Sequence, residues 1–298
     1  MKKRIRKEFT GMKKMICFLT AIFLCLSCGA ASFAENVDNP GKYVIADTGD
    51  VYAVIRSFSY EAASDEYVAE IYFENRSGSC VEFGAEKIGV HGFIVDAYCY
   101  NVLAAERKSI TYLEILAEPL RNLGIEEPEE ITFSFYVNST GDEYCTLFRD
   151  EVFYYPTGKN ASEVRRTEIS DFGYYDYEID NDFLKYREID AKWTENEEFF
   201  ELDFALENRC GFDFVLQCGN FSMNGSSMEA YEYCTVPAGM KAMNSIWIPK
   251  EMLQEAEITD PEWVSYTLLL YENTEAFRAG ESSIPFFAYP VSFSFSKR

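Results

Sequence analysis

Acid–base and nucleophilic chemistry have few carriers in this chain. His91 is the one histidine among 298 residues, so a Ser-His-Asp or Cys-His relay would have to run through it. It stands beside a glycine in Val90-His91-Gly92 and reads as a strand-end residue. No Gly-x-Ser-x-Gly elbow and no glycine-rich phosphate loop occurs, and one histidine without a close cysteine pair does not make a zinc site. The 50 acidic residues permit a glycosidase-type carboxylate pair, yet in the strand-like segments they alternate with apolar residues as a solvated face does. Asp176, Asp180 and Asp182 cluster, but without the Asp-x-Asp-x-Asp-Gly spacing of a calcium loop they read as an acidic turn. The expectation is no catalytic residue, no cofactor and no metal, with a carboxylate-based hydrolase as the alternative.

Aromatic side chains are the positive signal, since exposed flat rings stack on sugars and anchor protein partners. Tyr174, Tyr175 and Tyr177 crowd one short segment, while Trp193, Trp247 and Trp263 are spread over the C-terminal half. These six are the candidate partner-binding residues, although core packing accounts for most aromatics in small β-domains. Six cysteines follow the leader: Cys80, Cys99, Cys145, Cys210, Cys218 and Cys234. Their even number permits disulfides in an exported chain, with Cys80–Cys99 and Cys210–Cys234 as analogous pairs and buried free thiols as the other reading.

The leader itself spans residues 1–34. Seven basic residues from Lys2 to Lys14 precede an apolar run from Met15 to Leu26, and Ser32-Phe33-Ala34 supplies a small-x-small cleavage pattern. The run is too short for a comfortable membrane span. Cleavage after Ala34 and secretion are therefore expected, with lipid anchoring at Cys28 as the lesser alternative. Loss of the leader removes seven basic residues and one acidic residue, leaving 20 and 49 and a net charge of −29. Such a surface repels nucleic acid and anionic lipid, and no apolar stretch of the mature part could span a bilayer. The high aromatic content argues against disorder.

What must position any site is a repeat. Shifted by 133 residues, the chain matches itself: Phe73-Glu74-Asn75-Arg76-Ser77-Gly78 falls on Leu206-Glu207-Asn208-Arg209-Cys210-Gly211. Val90-His91-Gly92 falls on Met223-Asn224-Gly225, Lys108 on Lys241, and Pro128-Glu129 on Pro261-Glu262. Such self-similarity marks tandem domains. Alternation as in Phe200-Glu201-Leu202-Asp203-Phe204 puts Phe200, Leu202, Phe204 and Leu206 on a core face. Strands are expected at 43–46, 51–60, 87–90, 108–115, 131–137 and 151–155, and one short helix per copy at 117–123 and 250–256. Gly92 and Gly225 are expected at positive φ. The organisation is thus a β-sandwich repeat at 41–156, a polar linker at 157–171 and a second repeat at 172–290, all-β and antiparallel.

The order of strand, Asn-rich turn, x-Asn-Gly strand, Ala-Gly-x-Lys strand start, Leu-x-x-x-x-Ile helix and Pro-Glu turn resembles the tandem immunoglobulin-like β-sandwich modules of secreted proteins of gut Firmicutes. The second copy keeps Met223-Asn224-Gly225 and Ala238-Gly239-Met240-Lys241, whereas the first has His91 and Ala105-Glu106-Arg107-Lys108 at these places. The resemblance implies fold and an extracytoplasmic location and carries no activity. The function expected is that of an exported, non-catalytic protein that binds a protein or glycan partner.

Overall fold

Period-two alternation builds nearly the whole molecule. The computed structural model describes residues 43–141, 144–172, 178–280 and 284–295; the leader, its cleavage site and Tyr174, Tyr175, Asp176 and Tyr177 lie outside them. The first copy contains β1 (Tyr43–Asp47), β2 (Val51–Glu61), β3 (Glu66–Asn75), β4 (Val81–Val90), β5 (Phe93–Ile94), β6 (Ala97–Tyr98), β7 (Tyr100–Leu103) and β8 (Lys108–Leu116). Helix α1 (Ala117–Asn122), β9 (Ile131–Ser139) and β10 (Cys145–Tyr154) complete it. The second copy contains β11 (Glu178–Asp180), β12 (Leu184–Trp193), β13 (Phe199–Asn208), β14 (Phe214–Met223), β15 (Ser226–Ser227), β16 (Cys234–Val236) and β17 (Lys241–Pro249). Helix α2 (Lys250–Glu255), β18 (Trp263–Glu272), a one-turn helix α3 (Glu275–Arg278) and β19 (Phe287–Ser294) follow.

The chain is all-β, two tandem antiparallel sandwiches of one fold. The sheet β1-β2-β3-β8 of the first copy corresponds to β11-β12-β13-β17 of the second, and β10-β9-β4 to β19-β18-β14. The 133-residue offset holds at the level of backbone pairing: Glu66 opposes Leu116 as Phe199 opposes Pro249, and Val90 opposes Ile131 as Met223 opposes Val264. Even the irregularities repeat. The β2 bulge between Ile55 and Ser57 recurs between Glu188 and Asp190, and the β4 bulge between Glu86 and Gly89 recurs between Gly219 and Ser222. His91-Gly92 and Asn224-Gly225 have positive φ at both residues, as a two-residue hairpin loop requires.

The Glu-Asn-Arg repeat is explained by what it holds. Asn75 and Asn208 are buried. The Asn75 side-chain amide donates to the carbonyls of Ser79, Leu103 and Ala104; that of Asn208 donates to Phe212 at 3.0 Å and Val236 at 2.8 Å. Each side-chain oxygen accepts a backbone N–H two residues on, from Ser77 or Cys210. Arg76 reaches Asp47 and the Thr48 carbonyl, and Arg209 reaches Asp180 and the Asn181 carbonyl. One motif thereby ties three loops at one end of each sandwich.

Several boundaries differ from expectation. Strand β4 begins at Val81 rather than 87, because Gly84-Ala85 carries no β-branched signal although both pair with β9. Strand β10 likewise begins at Cys145, six residues early. The polar segment 157–171 carries no strand but is tied to the first copy: Arg166 grips the buried Glu130 carboxylate at 2.7 Å, and Ile169 is fully buried. The six thiols are free, so neither expected disulfide pair forms. Cys99 and Cys234 point into the two cores, where burial pushes both thiols up to about 12, while Cys80 and Cys210 sit in turns outside.

Gly41–Arg298 forms one compact unit, and the joint between the copies is a shared sheet. Lys241 of β17 pairs in parallel with Phe93 of β5, its N–H donating to the Gly92 carbonyl at 2.8 Å. This single pairing fuses one sheet of each copy into nine strands. The buried Lys241 ammonium binds the Thr167 carbonyl at 2.8 Å and Glu168 at 3.0 Å, and lies over the Phe93 ring. Ala205, Met243 and Ile189 of the second copy pack on the first core, and Ile94 packs on the second.

Candidate functional site

The bulge at Glu188–Asp190 and the registers of β12, β13 and β17 set rows of side chains on the outer face of the second copy. One row is Lys192, Glu201 and Trp247, and the next is Asp190, Asp203 and Ser245. The β5–β6 segment and α1 of the first copy stand opposite this face. Together they enclose a groove of about 750 Å³, whose lining includes Asp96, Glu118, Tyr233 and Asn244 beside those rows. Trp247 is 42% exposed there.

The charges of the floor are unevenly matched. Lys192 binds Asp203 at 2.6 Å and Asp190 at 3.7 Å, and Ser245 donates to the second Asp203 oxygen at 2.6 Å. Each Asp203 oxygen thus has a partner, and its hydrogen bond raises the Lys192 pKa. Glu201, beside the indole, is pushed up by burial and then by the Asp203 charge. The groove therefore offers an aromatic face next to an acidic side chain, among five carboxylates set against one lysine, a balance that favours a cation.

The candidate aromatics are placed apart. Trp193 is half-buried against Phe200, with the Lys250 ammonium over its ring, and Trp263 lies on the other sheet, where its backbone N–H donates to the Asn224 side-chain oxygen. Trp247 alone of the three tryptophans lines the groove. Asp180 is paired with Arg209, which holds its carboxyl low, while Asp176 lies outside the described residues. Among the described residues no group of three or more His, Cys, Asp or Glu could hold a metal ion, and no helix is long and apolar enough to cross a membrane.

His91 fastens the hairpin. Its Nε2 accepts the Glu129 N–H at 2.9 Å, and in the other copy the Asn224 side-chain oxygen accepts the Glu262 N–H at 2.9 Å, the same bond 133 positions on. Burial lowers the His91 pKa, so the ring is neutral and able to accept. His91→Ala should lose about 1–2 kcal/mol, from the orphaned N–H and the positive φ, while His91→Asn stays within about 0.5 kcal/mol of the parent. Urea unfolding monitored by circular dichroism distinguishes the two.

One cluster departs from the sequence expectation that acidic residues line solvent faces. In the second core, Tyr186 donates to Glu188 at 2.5 Å, Tyr266 also donates to Glu188, and the two hydroxyls lie 2.7 Å apart. Glu188 is fully buried, its other oxygen has no partner, and burial pushes its carboxyl up to about 7. The thiol of Cys218 feels both Glu188 and Glu232 electrostatically. In the first copy these five positions are Ala53, Ile55, Ala85, Cys99 and Phe133. Within one copy Tyr186-Arg187-Glu188-Ile189-Asp190 looks like ordinary alternation; comparison of the copies is the signal that exposes it.

No family model matches the chain, and no curated protein matches it. Among solved structures it is similar to a protein of unknown function from Porphyromonas gingivalis W83, at 11% identity over 83% of this chain and 100% of that one, with a TM-score of 0.24. It is also similar to the YadV chaperone (10% identity, 83% and 100% covered, TM-score 0.25) and to the exo-chitosanase CsxA of Amycolatopsis orientalis (7%, 78% and 26%, 0.25). At these TM-scores the neighbours bear on neither ligand nor reaction.

Proposed function

We propose that this is an exported, non-catalytic binding protein of the tandem immunoglobulin-like kind, secreted or held at the cell surface, whose inter-copy groove captures an amine-bearing glycan or protein segment. The observation that carries the reading is Trp247, exposed beside Glu201 on the floor of a groove walled by both copies. An indole face and a carboxylate side by side suit an alkylammonium, which gains a cation–π contact and a charge partner together. Basic-apolar-small patterning of residues 1–34 supports export.

The hydrolase alternative has one observation in its favour, the pair Asp190 and Asp203 on adjacent strands. Lys192 stands between these two carboxylates and binds both, in the place where a glycosidic oxygen would have to be protonated. That argues for recognition rather than bond cleavage.

Isothermal titration with a glucosamine oligosaccharide, its N-acetylated counterpart and oligolysine tests the reading. The amine-bearing probes should bind, and Trp247→Ala should weaken them by about tenfold or more. Equal affinity for the N-acetylated sugar, or binding indifferent to Trp247→Ala, overturns the site. Products released from an oligosaccharide and lost with Asp203→Asn would establish the hydrolase instead.

A further inference from the structure

The segment 228–233 is a strap that reaches the groove at Tyr233, and it is held differently in the two copies. In the first copy the equivalent segment is paired on both sides: Tyr98 with Glu114 on β8, and Tyr100 with Gly84 on β4. The Ala85 N–H also donates to the Cys99 carbonyl at 3.1 Å. A glycine permits this approach, since a Cβ at residue 84 would meet the Cys99 carbonyl at 2.4 Å. The second copy has Gln217 at that position. Its pairing with β14 accordingly stops at Leu216–Cys234, one pair earlier.

Its N-terminal part is held by the Met228 N–H on the Phe221 carbonyl at 3.1 Å and by Met228 and Ala230 packed on the second core. Beyond these, residues 231–233 keep the bridge between Tyr231 and Trp247, with N–H···O distances of 2.9 and 3.0 Å, and one side chain turned inward. Glu232 stands between Tyr231 and Tyr233, whose rings are 55% and 59% exposed, yet both of its carboxyl oxygens are buried and without a hydrogen-bond partner. The titratable groups around it offer no positive charge. Cys218 of β14 and Cys234 of β16 feel its charge, Cys218 also feels Glu188 of β12, and Tyr186 and Tyr266 bind Glu188. A carboxylate cannot stay in such surroundings without leaving for water.

We propose that Glu232 is the latch of a pH-dependent strap: neutral, it pins residues 231–233 at the groove, and ionised, it swings out and takes the Tyr233 wall with it. The proposal rests on the groove being the binding site and adds its regulation. Burial pushes the Glu232 carboxyl up to about 9, so the strap is closed at neutral pH and opens as pH rises through that value. The sign follows from a folded pKa above the ordinary 4.5. A ligand gripping Tyr233 and Trp247 would then be released on the alkaline side.

The test needs no ligand. In a mature chain carrying Trp193→Phe and Trp263→Phe, Trp247 is the sole indole, and acrylamide quenching reads its exposure. The quenching constant should rise about twofold between about pH 7 and about pH 10. Glu232→Gln, and Glu232→Cys with the residue of the first copy, should keep it flat; both retain every tyrosine, which controls for phenol ionisation. No rise in the parent, or an equal rise in both variants, overturns the latch. Quenching that rises without any probe binding at neutral pH leaves the latch standing and removes the groove as a binding site, and the reverse result does the opposite.

Discussion

Asn208→Ala should lower the denaturant midpoint of the second sandwich markedly, with a loss of about 3 kcal/mol. The side chain fastens Phe212 and Val236 through their carbonyls and Cys210 through its N–H, all at a fully buried position. Truncation leaves those groups without their partner in a site too tight for easy solvent access, and each orphan costs about 1–3 kcal/mol before relaxation. Asn208→Asp should be at least as damaging, because a carboxylate oxygen would then face two carbonyl oxygens. Tryptophan fluorescence suits the measurement, since all three tryptophans lie in the second copy. A loss below about 0.5 kcal/mol would mean that the loops are held by something other than the asparagine.

The second large effect is a pH dependence with an unusual sign. Glu188 has an ordinary carboxyl value of 4.5 and a folded value of about 7, raised by burial against the lowering effect of Tyr186 and Tyr266. The unfolded chain releases that proton first as pH rises, so the stabilisation is complete below 4.5 and is lost progressively as pH climbs to and beyond about 7. A shift of that size corresponds to about 3 kcal/mol. Glu188→Gln keeps an acceptor for both tyrosine hydroxyls and removes the titration, so its stability should vary with pH by about 3 kcal/mol less than the parent's. His91 works the other way, since a lowered histidine pKa costs stability as pH falls. Chemical unfolding at intervals from about pH 4 to pH 8, read by tryptophan fluorescence, isolates the Glu188 term. Parallel profiles for parent and variant would show that Glu188 titrates in the folded protein as it does in the unfolded chain.

Much of the fold is readable from local pattern because local pattern is what makes it. Phe200-Glu201-Leu202-Asp203-Phe204 declares its strand and its faces, and Asn224-Gly225 declares a hairpin whose backbone has to turn left-handed. Glu-Asn-Arg was legible as a repeat but not as a clamp, since its acceptors lie up to 29 residues away. The groove was not legible at all. Trp247, Glu201 and Lys192 come together through two strand registers, and the opposite wall depends on one backbone pairing between Lys241 and Phe93. The buried acids were misread for a related reason: Glu188 and Asp190 straddle a bulge, and a one-residue register change exchanges the two faces of a strand.

The fused sheet gives the molecule a mechanical character that two domains on a tether would lack. A polar connector of 157–171 alone would let the sandwiches swing, and a cleft between them would breathe with every swing. Backbone pairing at Phe93–Lys241, with the ammonium of Lys241 seated in the connector itself, removes that hinge. The distance from α1 to the floor at Trp247 is then set before anything arrives. A partner need not spend its binding energy on stilling the two halves, and rejection of ligands too wide for the gap becomes a matter of stiffness rather than of contacts.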